Sequence, residues 1–252
     1  LINLKIPDTG ARYVSQKTNP IELIKDFSIC FKTLWNDRLG QISLAVTTLF
    51  WGAGATLQFI VIKWAQVALH MNLSQGAILQ AISAVGVAGG AVYAAWRIPL
   101  RKSLNVLPYG VAMGLVVCVM AVYNSDLLPN TSIFSMGKFQ VTLNLLPAYV
   151  LLILVGWLAG YFVVPMNALL QHRGHVLMSA GHSIAVQNFN ENISVLMMLL
   201  IYSLLIWLDV PIQIVIVGFG VAVSLIMWLV IKRHARNQAE YDSMHLIGEH
   251  KH

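Results

Sequence analysis

Residues 183–201 read SIAVQNFNENISVLMMLLI. Between flanks that dissolve in hydrocarbon lies the run Gln187-Asn188-Phe189-Asn190-Glu191-Asn192, which carries one carboxylate and four amides. The apolar stretch around it, 180–208, is long enough for a spanning helix, which needs about 20 mostly apolar residues. Glu191 is eleven residues past Ala180, or about 16 Å at a rise of about 1.5 Å per residue. That puts it near the middle of a ~30 Å hydrocarbon core. Polar groups at this depth are costly unless they face partners, a cavity or a ligand. The stretch therefore predicts a membrane helix and marks where the chain handles something polar.

Working outward, the composition agrees. Of the 252 residues, 58% are hydrophobic and 10% charged, and the mean hydropathy is +0.71. Soluble domains carry about 25% charged residues, so the departure is toward the membrane. The net charge of +6 falls in short loops between apolar runs, which argues against a nucleic-acid partner. Cys30 and Cys118 lie far apart, with neither metal spacing nor a disulfide framework. The chain starts at Leu1 with no signal peptide ahead of the first apolar span, and the expectation is the C-terminal portion of a longer protein.

Six spans are predicted, at about 42–69, 76–96, 104–123, 145–170, 180–208 and 212–231. Helices are required because backbone polar groups in lipid must be satisfied within the segment. Pro108, Pro147 and Pro211 fall at or just before first turns, whereas Pro165 lies inside a span and is expected to kink it. Lys and Arg concentrate in alternate loops. Residues 1–41 hold six, Arg97, Arg101 and Lys102 follow the second span, Arg173 follows the fourth, and Lys232, Arg233 and Arg236 follow the sixth. The intervening loops hold only Lys138. By the positive-inside rule both ends are cytoplasmic.

Residues 1–41 read as a cytoplasmic linker. In it Asn19-Pro20 opens an amphipathic helix with Ile21, Ile24, Phe27 and Phe31 on one face, expected to lie on the membrane surface. Residues 42–231 form the transmembrane domain and 232–252 the cytoplasmic tail, expected to be polar and frayed over 237–252. Residues 124–143 are the longest external loop.

Depth sorts the candidate site residues. Gln187, Glu191 and Ser194 share one helical stripe and Asn188 and Asn192 an adjacent one; both are expected to face the bundle interior. Gln58 is an amide within the first span, suited to a helix contact or a cavity wall. Lys63 is nearer the external end, where lysine snorkels. Glycines recur at G-x-x-x-G spacing, as at Gly86/Gly90, Gly110/Gly114 and Gly156/Gly160, and read as packing. Gly52 and Gly54, at mid-depth beside Trp51, read as a hinge or a point of close ligand approach. Trp96, Tyr123 and Tyr149 read as interface anchors. His172, His175 and His182 lack supporting ligands for a metal site, and no cofactor motif is present.

Three stretches, 43–57 (SLAVTTLFWGAGATL), 160–174 (GYFVVPMNALLQHRG) and 179–192 (SAGHSIAVQNFNEN), resemble segments of the bacterial lysophospholipid transporter family, within the major facilitator superfamily. The resemblance covers roughly residues 20–235. It implies an all-α integral membrane fold, with six helices forming the C-terminal half of a twelve-helix bundle. It also implies flipping of lysophospholipids, chiefly lysophosphatidylethanolamine, across the bacterial inner membrane. A cytoplasmic acyltransferase and acyl–acyl carrier protein synthetase would then restore the second chain, and an N-terminal six-helix half would supply the other wall of the cavity. Two positions depart from the family pattern. Gln58 stands where members carry arginine, with Lys63 as a nearby substitute, and Asn190 where many carry glycine. A major facilitator exporter of drugs or small metabolites is the alternative, and a membrane module anchoring an acyltransferase is a rival of another class.

Overall fold

The structure is a computed structural model and describes residues 19–136 and 139–248. The described residues form α1 (Pro20–Asn36), α2 (Gly40–Ala68), α3 (Leu73–Arg97), α4 (Leu107–Val122), α5 (Leu146–Leu177), α6 (Ala180–Trp207) and α7 (Ile212–Glu240). A 3-10 segment, Leu100–Val106, leads into α4, and one antiparallel hairpin, β1 (Ser132–Met136) with β2 (Phe139–Thr142), lies in the loop between α4 and α5. Six segments are long and apolar enough to cross a membrane. They coincide with the six predicted spans.

The helix ends follow local chemistry. The Asn19 side chain accepts from the Ile21 amide at 3.1 Å and Pro20 takes the first turn. Asn72 and Gln75 form a reciprocal capping box at the start of α3, satisfying amides that have no partner within the helix. Pro108 and Pro147 sit in the first turns of α4 and α5, and Pro211 caps α7. α5 runs unbroken through Pro165.

Helices in lipid gain little from the hydrophobic effect against one another, so close backbone approach and polar links decide how they pair. The most extensive pairings are α3 with α5, α4 with α7 and α2 with α6. Two G-x-x-x-G motifs face each other in the first. A Cβ added at Gly86 or Gly90 would strike the backbone of Ile153 or Trp157, and one at Gly156 or Gly160 would strike that of Ser83 or Val87. In the second, Gly114 and Gly220 abut each other's backbone carbonyls. The pattern has an internal symmetry. Replacing α2, α3, α4 by α5, α6, α7 turns the α2–α6 pair into α5–α3 and returns α4–α7 to itself. Because α2 and α5 run in opposite directions, this is the pairing of two inverted three-helix repeats, although no close sequence repeat announces it.

Three expectations need correction. The tail is docked through residue 248: Asn237, Ser243 and Ile247 are buried. The Arg38 guanidinium donates to the Asn237 carbonyl at 3.0 Å and lies 3.6 Å from Glu240. Partners for tail backbone groups are supplied by loop side chains that a linear reading cannot bring together. Second, only part of the α1 face read as lying on the membrane is turned outward. Phe27 and Phe31 pack edge-on to Phe189 of α6, while Ile21, Ile24 and Ile29 remain exposed. Third, Tyr149 is buried in the core rather than anchoring an interface.

The end of the bundle bearing α1 and the tail is tied by one buried ion pair. Arg173 donates to both carboxylate oxygens of Asp37, from Nε at 3.1 Å and Nη2 at 2.8 Å. The two side chains are only 3% and 9% exposed. Arg173 also donates to the Leu246 carbonyl at 3.2 Å, and Asp37 accepts from the Gly40 amide at 2.6 Å. One arginine thus joins α5, the start of α2 and the tail.

Candidate functional site

Polar side chains from three helices meet at one depth. Trp51 lies eleven residues into α2, Glu191 eleven into α6, and Asn167 ten before the end of α5. At about 1.5 Å per residue all three are roughly 15–17 Å from the α1 end of the bundle. The Gln187 amide bridges the last two, donating to Glu191 Oε1 at 2.8 Å and to Asn167 Oδ1 at 3.1 Å. The Trp51 indole of α2 lies at the same depth, on the wall of the neighbouring cavity. Glu191 is buried at 9% exposure, whereas Trp51 is 50% exposed. The described donor to the Glu191 carboxyl, the Gln187 amide, is neutral and stabilises a charge without cancelling it.

Beside this cluster is a cavity of ≈ 560 Å³ between α2, α3 and α5, with Val195 contributed by α6. Trp51 and Gly54 line it, together with Gln58, Gln80 and Ser83. Its volume lies within the usual range of ligand sites, about 300–1,000 Å³. Gln58 projects into it roughly 10 Å further from the α1 end than Trp51, by helical rise. Its carbonyl accepts from Gln80 Nε2 at 3.2 Å.

The other candidates separate. The glycine pair divides between two roles. An added Cβ at Gly52 would run into Ser194 and Met198, so Gly52 is where α2 and α6 pack closely, not an approach point for a ligand. Gly54 meets nothing within 4 Å and opens on the cavity. Asn188 and Asn192 do not face the interior of the described bundle. Both lie on its exposed side, with Asn192 Nδ2 returned to the Asn188 carbonyl at 2.7 Å. Helical geometry puts these two on the side of α6 away from α2. Asn190 is structural: it accepts from the Trp35 indole at 3.3 Å and donates to the Val186 carbonyl at 2.8 Å. Lys63 is exposed and lines neither this cavity nor the groove on the other side of α2. Pro165 is buried two residues from Asn167.

Asn167 was not singled out from the sequence. Its signal was an amide inside an apolar span at the same depth as Glu191, legible only once both helices are laid out from their shared turn at 178–179.

Among curated proteins the chain is 37% identical over 236 residues to the lysophospholipid transporter LplT of Shigella boydii serotype 4 (strain Sb227). It is equally similar to the proteins of that name from Escherichia coli O1:K1 / APEC and O9:H4 (strain HS). Each match takes in 92% of this chain and 55% of the relative, so the chain spans about half the length of the curated relatives it matches. No family model matches the chain. No solved structure matches it either.

Proposed function

The chain belongs to the lysophospholipid transporter family, and from that premise we propose that it forms the C-terminal half of a flippase for lysophospholipids, chiefly lysophosphatidylethanolamine. In this reading residues 1–41 link it to a preceding six-helix half, 42–231 form the transmembrane unit and 232–252 the cytoplasmic tail. The protein resides in the bacterial inner membrane with both ends of this unit cytoplasmic, in keeping with the distribution of Lys and Arg. It is a transporter and not an enzyme. Its product is reacylated on the cytoplasmic side by an acyltransferase/acyl–acyl carrier protein synthetase.

The observation that carries the reading is the Trp51–Asn167–Gln187–Glu191 cluster at mid-depth beside an open cavity. A zwitterionic headgroup needs a site for its ammonium and donors for its phosphate. Glu191 supplies the first by a charge-assisted contact and the amides of Gln58 and Gln80 supply the second. Asn188 and Asn192 face the opposing half across the headgroup path. The halves rock about this level and expose it alternately to either side.

The test is transport of labelled lysophosphatidylethanolamine by the full open reading frame in proteoliposomes. Glu191→Ala is expected to insert and fold but to lose at least tenfold in rate. Wild-type transport by that variant overturns the role given to Glu191. Competition by lysolipids but not by water-soluble cations separates this reading from a drug exporter.

A further inference from the structure

On the other side of the α2–α6 seam, α6 and α7 are consecutive in the chain yet touch very little. The space between them, floored by α2, is a groove of ≈ 580 Å³. It runs along α2 from Ala45 to Ile60, about 22 Å by helical rise. One leaflet of a ~30 Å hydrocarbon core is about 15 Å deep, so the groove exceeds the length of chain a leaflet accommodates. Ile201, Ile214 and Ile226 on its rim are exposed, leaving it open toward the bilayer.

One buried hydroxyl in this apolar lining is left without a partner among the described residues. Thr56 returns its hydroxyl to the Gly52 carbonyl at 2.9 Å and Tyr202 gives its own to the Phe59 carbonyl at 3.3 Å. Thr48 Oγ1, by contrast, is buried with no hydrogen-bond partner among the described residues. Ser194, one helical turn beyond Glu191 on α6, also lines the groove and packs against Gly52 of α2. Counted from the helix starts, both lie within about 5 Å of the depth of Glu191. A buried hydroxyl left unpaired costs free energy, and a ligand oxygen at that level would remove the cost.

We propose that this groove binds the single acyl chain of the lipid substrate, with Thr48 and Ser194 meeting its glycerol or ester oxygens. The assignment rests on the lipid-transport reading above. An amphiphile needs two neighbouring environments, and Ser194 on the groove wall is one turn from Glu191 of the polar cluster across the α2–α6 seam. Because the groove opens sideways, the chain enters from the bilayer without leaving hydrocarbon while the headgroup crosses.

Gly218 provides the test. It lines the groove, and a Cβ added there meets nothing within 4 Å, so a larger side chain can leave the α7 backbone and occupy groove space. In the full-length protein in proteoliposomes, Gly218→Leu is expected to slow flipping of long-chain lysophosphatidylethanolamine at least tenfold and to shift preference to shorter chains. Thr48→Val, which preserves shape, is expected to weaken long-chain and short-chain substrates alike by several-fold. A lysophosphatidylethanolamine with a diazirine at its chain end is expected to label groove residues of α6 and α7, and unlabelled lysolipid to compete. A wild type that flips no lysophospholipid overturns the transport reading and this assignment together. An active wild type whose Gly218→Leu and Thr48→Val variants match it in rate and chain preference overturns the groove assignment alone, as does label spread evenly over all lipid-facing helices.

Discussion

Glu191 is the one carboxylate in the interior of a span, and its described hydrogen-bonding partner, Gln187, is neutral. If its task is to hold an ammonium, charge matters more than shape. Glu191→Gln should then cut transport of lysophosphatidylethanolamine at least tenfold, about 1.4 kcal/mol, and affect a lysolipid without an ammonium much less. Equal losses for both lipids would assign Glu191 to holding Gln187 and Asn167 in place. The position of Glu191 was legible in the sequence because depth follows from counting residues, but Asn167 was not, because its partner is on another helix. The same holds for Arg173, which reads as a loop charge and proves to be buried against Asp37, 136 residues away. Removing one member strands the other, at a typical cost of about 3–5 kcal/mol. Asp37→Ala should therefore lower the denaturation midpoint markedly. Asp37→Leu combined with Arg173→Met should lose less than the sum of the single variants, since no charge is left unpaired.

At the scale of helices, glycine spacing foretold close packing but not with which partner. The α3–α5 crossing joins Gly86 and Gly90 to Gly156 and Gly160 backbone to backbone. A leucine at Gly90 has nowhere to go, because Trp157 offers its rigid main chain rather than a flexible side-chain end. Overpacking of this kind costs typically about 1–3 kcal/mol and occasionally more. Gly90→Leu should sharply reduce the folded yield in membranes, whereas Gly54→Ala, with no atom within 4 Å, should leave it unchanged. Equal yields for the two variants would mean that the crossing is looser than drawn. The spans were legible because hydropathy and loop charge are carried locally by each segment. Helix pairing and tail docking were not, since they depend on contacts such as Arg38 with Asn237 between residues distant in the chain.

For the molecule as a whole, the unfinished face is that of α3 and α6. The apolar window of α6 is only 6% buried and that of α3 only 22% buried, against 61% for the segment containing α5. On α6 that face carries Asn188 and Asn192 at mid-depth, exposed in the described bundle. Amides presented to hydrocarbon are costly, so this face should look onto a water-filled path between two halves rather than onto lipid. The two possibilities are distinguishable. In a full-length protein with Cys30 and Cys118 replaced by serine, a cysteine at Asn188 or Asn192 should react with a hydrophilic thiol reagent, and excess lysolipid should slow the reaction. A cysteine at Leu200, on an apolar part of the exposed surface, should react poorly with the same reagent. Labelling at Asn188 no faster than at Leu200 would place α6 against lipid, and the headgroup path would then have to run through the α2–α3–α5 cavity alone.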